Sequence, residues 1–188
     1  FIFIFFVSIL VTFFSILLFR PFAIKLGILD RPSERKTHSG EIPLIGGISI
    51  FIGFYISMLG EYSDNNILII FMVSGFLILV LGFIDDCYPL SVITRISLQI
   101  VIVSSMVWFT GLKIETFGNS FGLINQISLG YFGFPITVLG IVFVTNAYNL
   151  MDGSDGLASS LCFLALISII VNDILYGNFY FNPISIAL

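Results

Sequence analysis

The chain has 188 residues, of which 58% are hydrophobic and 10% charged, with mean hydropathy +1.13 and a formal net charge of −4. Soluble domains sit near half apolar and a quarter charged, so a water-soluble globule is excluded, and no nucleic acid is expected among the partners. Only helices and closed barrels satisfy every backbone group in lipid, and the apolar runs here are continuous rather than alternating. The expected fold is therefore an all-α polytopic membrane protein.

A helix needs about 20 apolar residues to cross a bilayer. The first such run is Ile2–Phe19. It has neither a basic leader nor a small-residue cleavage pattern, so it reads as a span and not as a signal peptide. The loop that follows contains Arg20, Lys25, Arg31, Arg35 and Lys36. This excess of basic residues makes the loop cytoplasmic and puts the N-terminus outside. Within it, Asp30–Gly47 reads DRPSERKTHSGEIPLIGG. Arg31, Arg35 and Lys36, with His38 close behind, suit phosphate oxygens. Pro32 and Pro43 stiffen the loop, and Gly46–Gly47 allow close backbone approach. Basic loops beside spans also bind anionic head groups as plain topology signals, and on charge alone that reading is favoured.

The second span is Leu44–Gly60 and the third Ile67–Ile84. The third runs into GFIDDCYPL, Gly82–Leu90. Adjacent carboxylates at Asp85 and Asp86 repel each other, so a cation or a shared proton is expected. Mg2+ prefers carboxylates, phosphates and water. A solvated, capped helix end is an equal alternative. In the fourth span, Val92–Thr110, Arg95 and Gln99 lie one turn apart. They face the aspartate pair or satisfy a helix–helix contact. The outside loop Lys113–Tyr131 has β-branched stretches around Gly and Asn that suggest a short β-hairpin.

The fifth span, Phe134–Leu150, leads into NAYNLMDGSDGLA, Asn146–Ala158. A carboxylate at bilayer depth costs several kcal/mol unless it has a partner. Asn146, Asn149, Asp152 and Asp155 recur every third residue, a spacing that lines them up on a helix. Gly153 and Gly156 are expected to break that helix and turn the polar groups into a cavity. The plainer reading is an Asx-and-Gly turn with interfacial amides. Leu157–Tyr176 is the sixth span, and Pro183–Leu188 reads as the start of a seventh. The chain opens on Phe1 and stops in apolar sequence. Residues 1–188 are thus expected to form a single transmembrane domain that is incomplete at its C-terminus. Cys87 and Cys162 are expected to form neither a disulfide nor a metal site.

Alternating the sides of six spans puts Arg20–Pro43, Asp85–Ser91 and Asn146–Gly156 all in the cytoplasm. Together they predict a basic, carboxylate-rich, metal-competent pocket at a membrane surface. That chemistry suits a phosphorylated lipid meeting a soluble substrate that contains a diphosphate. Both reactants are anionic, so cations must screen them, and phosphoryl transfer depends mostly on positioning and electrostatics.

At these residues the chain resembles the polyprenyl-phosphate N-acetylhexosamine-1-phosphate transferases of bacterial membranes, glycosyltransferase family 4. DRPSERKTHSGEIPLIGGIS, GFIDDCYPLS and NAYNLMDGSDGLA match its motifs in order. The likeness is greatest to the branch that moves GlcNAc-1-phosphate from UDP-GlcNAc to undecaprenyl phosphate, for which HSGEIPLIGGIS is typical. The resemblance implies an enzyme of the bacterial cytoplasmic membrane that uses Mg2+, with Mn2+ as a substitute. Its partners would be a UDP-N-acetylhexosamine, undecaprenyl phosphate and membrane lipid, with a homodimer as a candidate assembly. It would release UMP as a first membrane step of cell-surface polysaccharide synthesis.

Carried over by residue, the resemblance makes Asp85 and Asp86 catalytic, with Asp85 and Asp152 at the metal. Lys36, His38, Asn146, Asn149 and Asp155 would bind substrate. The family also has a further aspartate in a Gly-rich loop and a late His-rich loop, and neither is within these residues. The expectation is an N-terminal half, inactive alone. Two alternatives stand beside it. One is a transporter or flippase of an anionic substrate, suggested by intramembrane charge and broken helices. The other is a truncated relic that binds lipid.

Overall fold

The computed structural model describes residues 2–30, 41–59, 66–117, 128–151 and 156–176. The elements are α1 (Ile2–Leu26), β1 (Leu29–Asp30), β2 (Ile42–Pro43), α2 (Gly46–Ser57), α3 (Asn66–Cys87), α4 (Val92–Thr110), α5 (Gly133–Met151) and α6 (Leu157–Tyr176). A 3-10 turn, Gly130–Phe132, leads into α5. Among the described residues, four helical stretches are long and apolar enough to cross a membrane: Phe3–Leu26, Asn66–Cys87, Val92–Thr110 and Gly130–Met151. This is an all-α, multi-pass membrane architecture.

Helices α1 and α2 differ in extent from the expectation, and α3 runs three residues past Ile84. Helix α1 does not stop at Phe19 but carries Arg20 and Pro21 inside it. It ends where Gly27 takes a left-handed φ of +69°. The Gly27 N–H then donates to Ile24 O (3.3 Å) and the Ile28 N–H to Ala23 O (3.0 Å). Those two bonds satisfy carbonyls that the helix end would otherwise orphan. Lys25 in the last turn complements the negative end of the helix dipole. Helix α2 has only 12 residues, about 18 Å at 1.5 Å per residue. Residues 60–65 lie outside the described part of the chain.

Helices α1 to α5 run antiparallel to their neighbours in the chain, as contacts near both ends establish. Gly53 of α2 abuts Ser8 and Thr12 of α1, while Leu44 N–H donates to Ile28 O (3.2 Å) at the other end. Phe51 of α2 meets Phe76 of α3 (ring centroids 5.8 Å apart), and Met58 is buried with Leu68 and Met72. An apolar groove of about 910 Å³ lies between these two helices. Helices α3, α4 and α5 share a core of Val103, Met106, Val107, Val138 and Val142, with Ile70 and Ile78 packed against it. Large apolar side chains such as Phe13, Phe14, Trp108 and Phe143 point outward. Helices apolar on every side suit a lipid surround.

The α1–α2 crossing is made by small residues. Ser8, Ser15, Ser49 and Gly53 are all buried, and small side chains let helix backbones approach closely in lipid. A Cβ at Gly53 would collide with Thr12 Oγ1 and sit 2.8 Å from Ser8 O. Gly53→Val is expected to cost about 1–3 kcal/mol, the usual range for overpacking. An unfolding titration in mixed micelles should show this as an earlier midpoint. An unchanged midpoint would mean that α1 simply slides aside.

At the opposite end, α4 stops at Gly111, φ +69°, whose N–H donates to Val107 O (3.0 Å). Thr116 and Ser128 pair in an antiparallel bridge, and Leu129 N–H donates to Glu115 O (2.8 Å). This is the base of the expected hairpin; residues 118–127 lie outside the described part. Thr137 Oγ1 accepts from Ile114 N–H (2.8 Å) and donates to Gly133 O (2.7 Å). One buried hydroxyl thus ties the connection to the first turn of α5.

Candidate functional site

The up-and-down order brings the end of α3, the start of α4 and the end of α5 together at one end of the bundle. Asp85 and Asp86 lie not in the connection after the third span but in the last turn of α3, which runs on to Cys87. A carboxylate there faces the negative end of the helix dipole. Arg95 offsets this: its Nη1 donates to Asp85 Oδ2 at 2.8 Å, and the two side chains are 22% and 13% exposed. Asp85 Oδ1 accepts the Leu90 N–H at 2.9 Å. Both oxygens of Asp85 are therefore engaged by protein donors. Asp86, the next residue, is exposed.

The geometry of the chain between Asp85 and Arg95 gives that link a role. Ser91 caps α4, its Oγ accepting the Thr94 N–H at 3.1 Å. Asp85 fixes the same link from the other side through Leu90. Ser91 directly before an apolar run is the signal for the cap. No local signal marks the Leu90 contact, because it depends on how α3 ends.

Gln99 makes the helix–helix contact. It is 6% exposed, and its Oε1 accepts from Asn146 Nδ2 at 2.6 Å. The same Nδ2 donates to Val142 O at 2.8 Å. Asn146 is half-buried, whereas Asn149, one turn closer to the end of α5, is exposed. Two buried atoms here find no partner among the described residues, Arg95 Nε and Asn146 Oδ1. Buried polar atoms are ordinarily paired, so these two mark a site where packing alone is not optimal.

Lys36, His38, Asp152 and Asp155 lie outside the described residues. The structure thus brings together Asp85, Asp86, Arg95, Gln99, Asn146 and Asn149 at one end, and these four join them through the sequence alone. Among the described residues, no group of three or more His, Cys, Asp or Glu converges on a metal position. The donor chemistry of the Asp85–Asp86 pair nonetheless fits a hard divalent cation, which takes oxygen ligands. Asp86 is the more exposed of the two, and the oxygens of Asp85 are shared with Arg95 and Leu90.

Residues 68–188 match the family model described as glycosyl transferase family 4. The chain is 38% identical, over 97% of its length and 52% of the relative's, to a probable undecaprenyl-phosphate N-acetylglucosaminyl 1-phosphate transferase of Bacillus subtilis (strain 168). It is 34% identical to the undecaprenyl-phosphate α-N-acetylglucosaminyl 1-phosphate transferase of Yersinia pestis, over 76% of the chain and 39% of the relative. The protein of that name from Salmonella typhimurium is 37% identical over 78% of the chain and 40% of its own length. The chain spans about two fifths to one half of these relatives. No solved structure matches it.

Proposed function

Since the chain belongs to glycosyl transferase family 4, we propose that it forms part of an enzyme that transfers GlcNAc-1-phosphate from UDP-GlcNAc to undecaprenyl phosphate. An oxygen of the lipid phosphate attacks the sugar-linked phosphorus. A new P–O–P bond forms, the bond to the UMP phosphate breaks, and UMP leaves. The observation that carries this reading is the one-ended placement of Asp85, Asp86, Arg95, Gln99, Asn146 and Asn149 on helices that otherwise expose mostly apolar side chains. A transporter would hold its polar site near the bilayer midplane, whereas the Asp85–Asp86 pair and Asn149 lie in the terminal turns of their helices.

The basic residues Arg20, Lys25, Arg31, Arg35 and Lys36 support a cytoplasmic site and an outside N-terminus. In this reading Lys36 and His38 receive the phosphates, and Asn149 and Asp155 the nucleotide sugar. Asp86 and Asp85, with Asp152, hold Mg2+. When bound, the cation supplies positive charge between two anionic reactants. Arg95 holds the Asp85 carboxylate in place through its Nη1 hydrogen bond. A carboxylate held this way serves as a fixed negative anchor beside the exposed Asp86.

The test is UMP release by the full-length gene product in membranes, with undecaprenyl phosphate and UDP-GlcNAc supplied. Release should require the lipid acceptor. Chelating divalent cations should lower it about 100-fold or more, the scale expected when metal charge is withdrawn from phosphoryl transfer, with recovery on adding Mg2+. UMP release that persists without acceptor, or that ignores chelation, would sink the reading.

A further inference from the structure

We propose that α4 acts as a spacer that sets the distance between the two halves of the site, with Arg95 and Gln99 as its positioning residues. Arg95 and Gln99 are one helical turn apart, so they share a face of α4. One bonds Asp85 on α3, the other Asn146 on α5. Helix α4 packs against both neighbours. The separation between Asp85–Asp86 and the Asn146–Asn149 stripe is therefore fixed by two polar contacts on a rigid rod.

The chemistry of these contacts argues for position rather than stability. An apolar pair at each place would hold the helices together without a desolvation cost. Here an ion pair and an amide pair lie at one end of a Val- and Met-rich core, and among the described residues each leaves one buried polar atom unpartnered. Directional hydrogen bonds fix a geometry in a way that interchangeable apolar contacts do not. Asn146, expected from sequence to bind substrate, has both amide hydrogens committed to Gln99 and Val142. Its role in this proposal is to orient the last turns of α5, on which Asn149 stands. Catalysis by positioning loses rate when reacting groups are misplaced by an ångström or so.

The proposal rests on the transferase reading for its kinetic part and is independent of it for its structural part. The test uses the full-length gene product with Gln99→Asn, with Asn146→Gln, and with both changes together. Each single change alters the combined length of the amide pair by one methylene, and the reciprocal double change restores it. Each single variant should lower kcat about tenfold with KM for UDP-GlcNAc within about twofold, since the loss is in transition-state positioning. The double variant should recover to within about threefold of the parent, as expected for coupled neighbours.

A second readout uses spin labels at Tyr88→Cys and Leu150→Cys, both exposed positions, with Cys87 and Cys162 replaced by Ser. The distance distribution between the labels should shift or broaden in each single variant and return in the double one. If the parent itself releases no UMP, the transferase reading fails while the distance measurement still decides the spacer. An unchanged distance distribution overturns the spacer. So does a shifted distribution with unchanged kcat, or a kcat loss in the double variant as large as in the worse single one.

Discussion

Asp86→Asn should abolish turnover, by about 10³-fold or more, while leaving the melting temperature of the protein unchanged. The magnitude is that of a few kcal/mol of transition-state electrostatics. The clean separation of activity from stability follows from position. Asp86 is exposed at the end of α3, so neutralising it strands no buried charge. Asp85→Asn should behave differently, lowering both turnover and stability. The amide can still meet the Leu90 N–H through its oxygen, but it leaves the Arg95 guanidinium without a counter-charge. Parallel assays of UMP release and detergent-solubilised thermal unfolding check the contrast. Near-normal turnover in Asp86→Asn would remove it from the reaction.

Arg95→Met should cost about 2–4 kcal/mol of stability, since removing one partner of a largely buried pair strands the other's charge. The pair is not fully dry, at 22% and 13% exposed, which places the cost at the lower part of the range for such pairs. Adding Asp85→Leu to Arg95→Met should recover most of that loss, because two apolar side chains of similar volume pack there without stranded charge. Turnover should not return with it. Unfolding midpoints of the single and double variants, measured beside UMP release, give both numbers. A double variant as unstable as the single would mean that the site cannot close around apolar side chains.

Much of the fold is legible in the sequence because length and hydropathy report membrane crossing directly. Helix α4 was readable to the residue, Val92–Thr110, because Ser91 caps its start and Gly111 ends it. The end of α1 was not, since Arg20–Pro21 looks like a terminus. The helix passes through it because its stop signal is the left-handed Gly27, with apolar residues on both sides of the proline. The extent of α2 was over-read, because an apolar run measures hydropathy and not helical length.

The candidate site was legible in its residue types but not in its pairings. Helices that are apolar on every side give no pattern from which to read which face meets which neighbour. Arg95 and Gln99 could be placed on one face, yet only the packing of α3 and α5 on either side assigns Asp85 to one and Asn146 to the other. Lys36, His38, Asp152 and Asp155 lie outside the described residues, so their part in the site rests on spacing and motif.

The close crossing of α1 and α2 has a consequence for biogenesis. Gly53 lets α2 settle against Ser8 and Thr12 using residues from the first third of the chain alone. These two helices can therefore pair as soon as both have left the ribosome and entered the bilayer, before the segments that bear the aspartates are synthesised. A hairpin that closes early would fix the orientation of everything that follows. Crowding this crossing would then show first as mis-inserted protein in the cell, ahead of any loss of catalysis in the molecules that insert correctly.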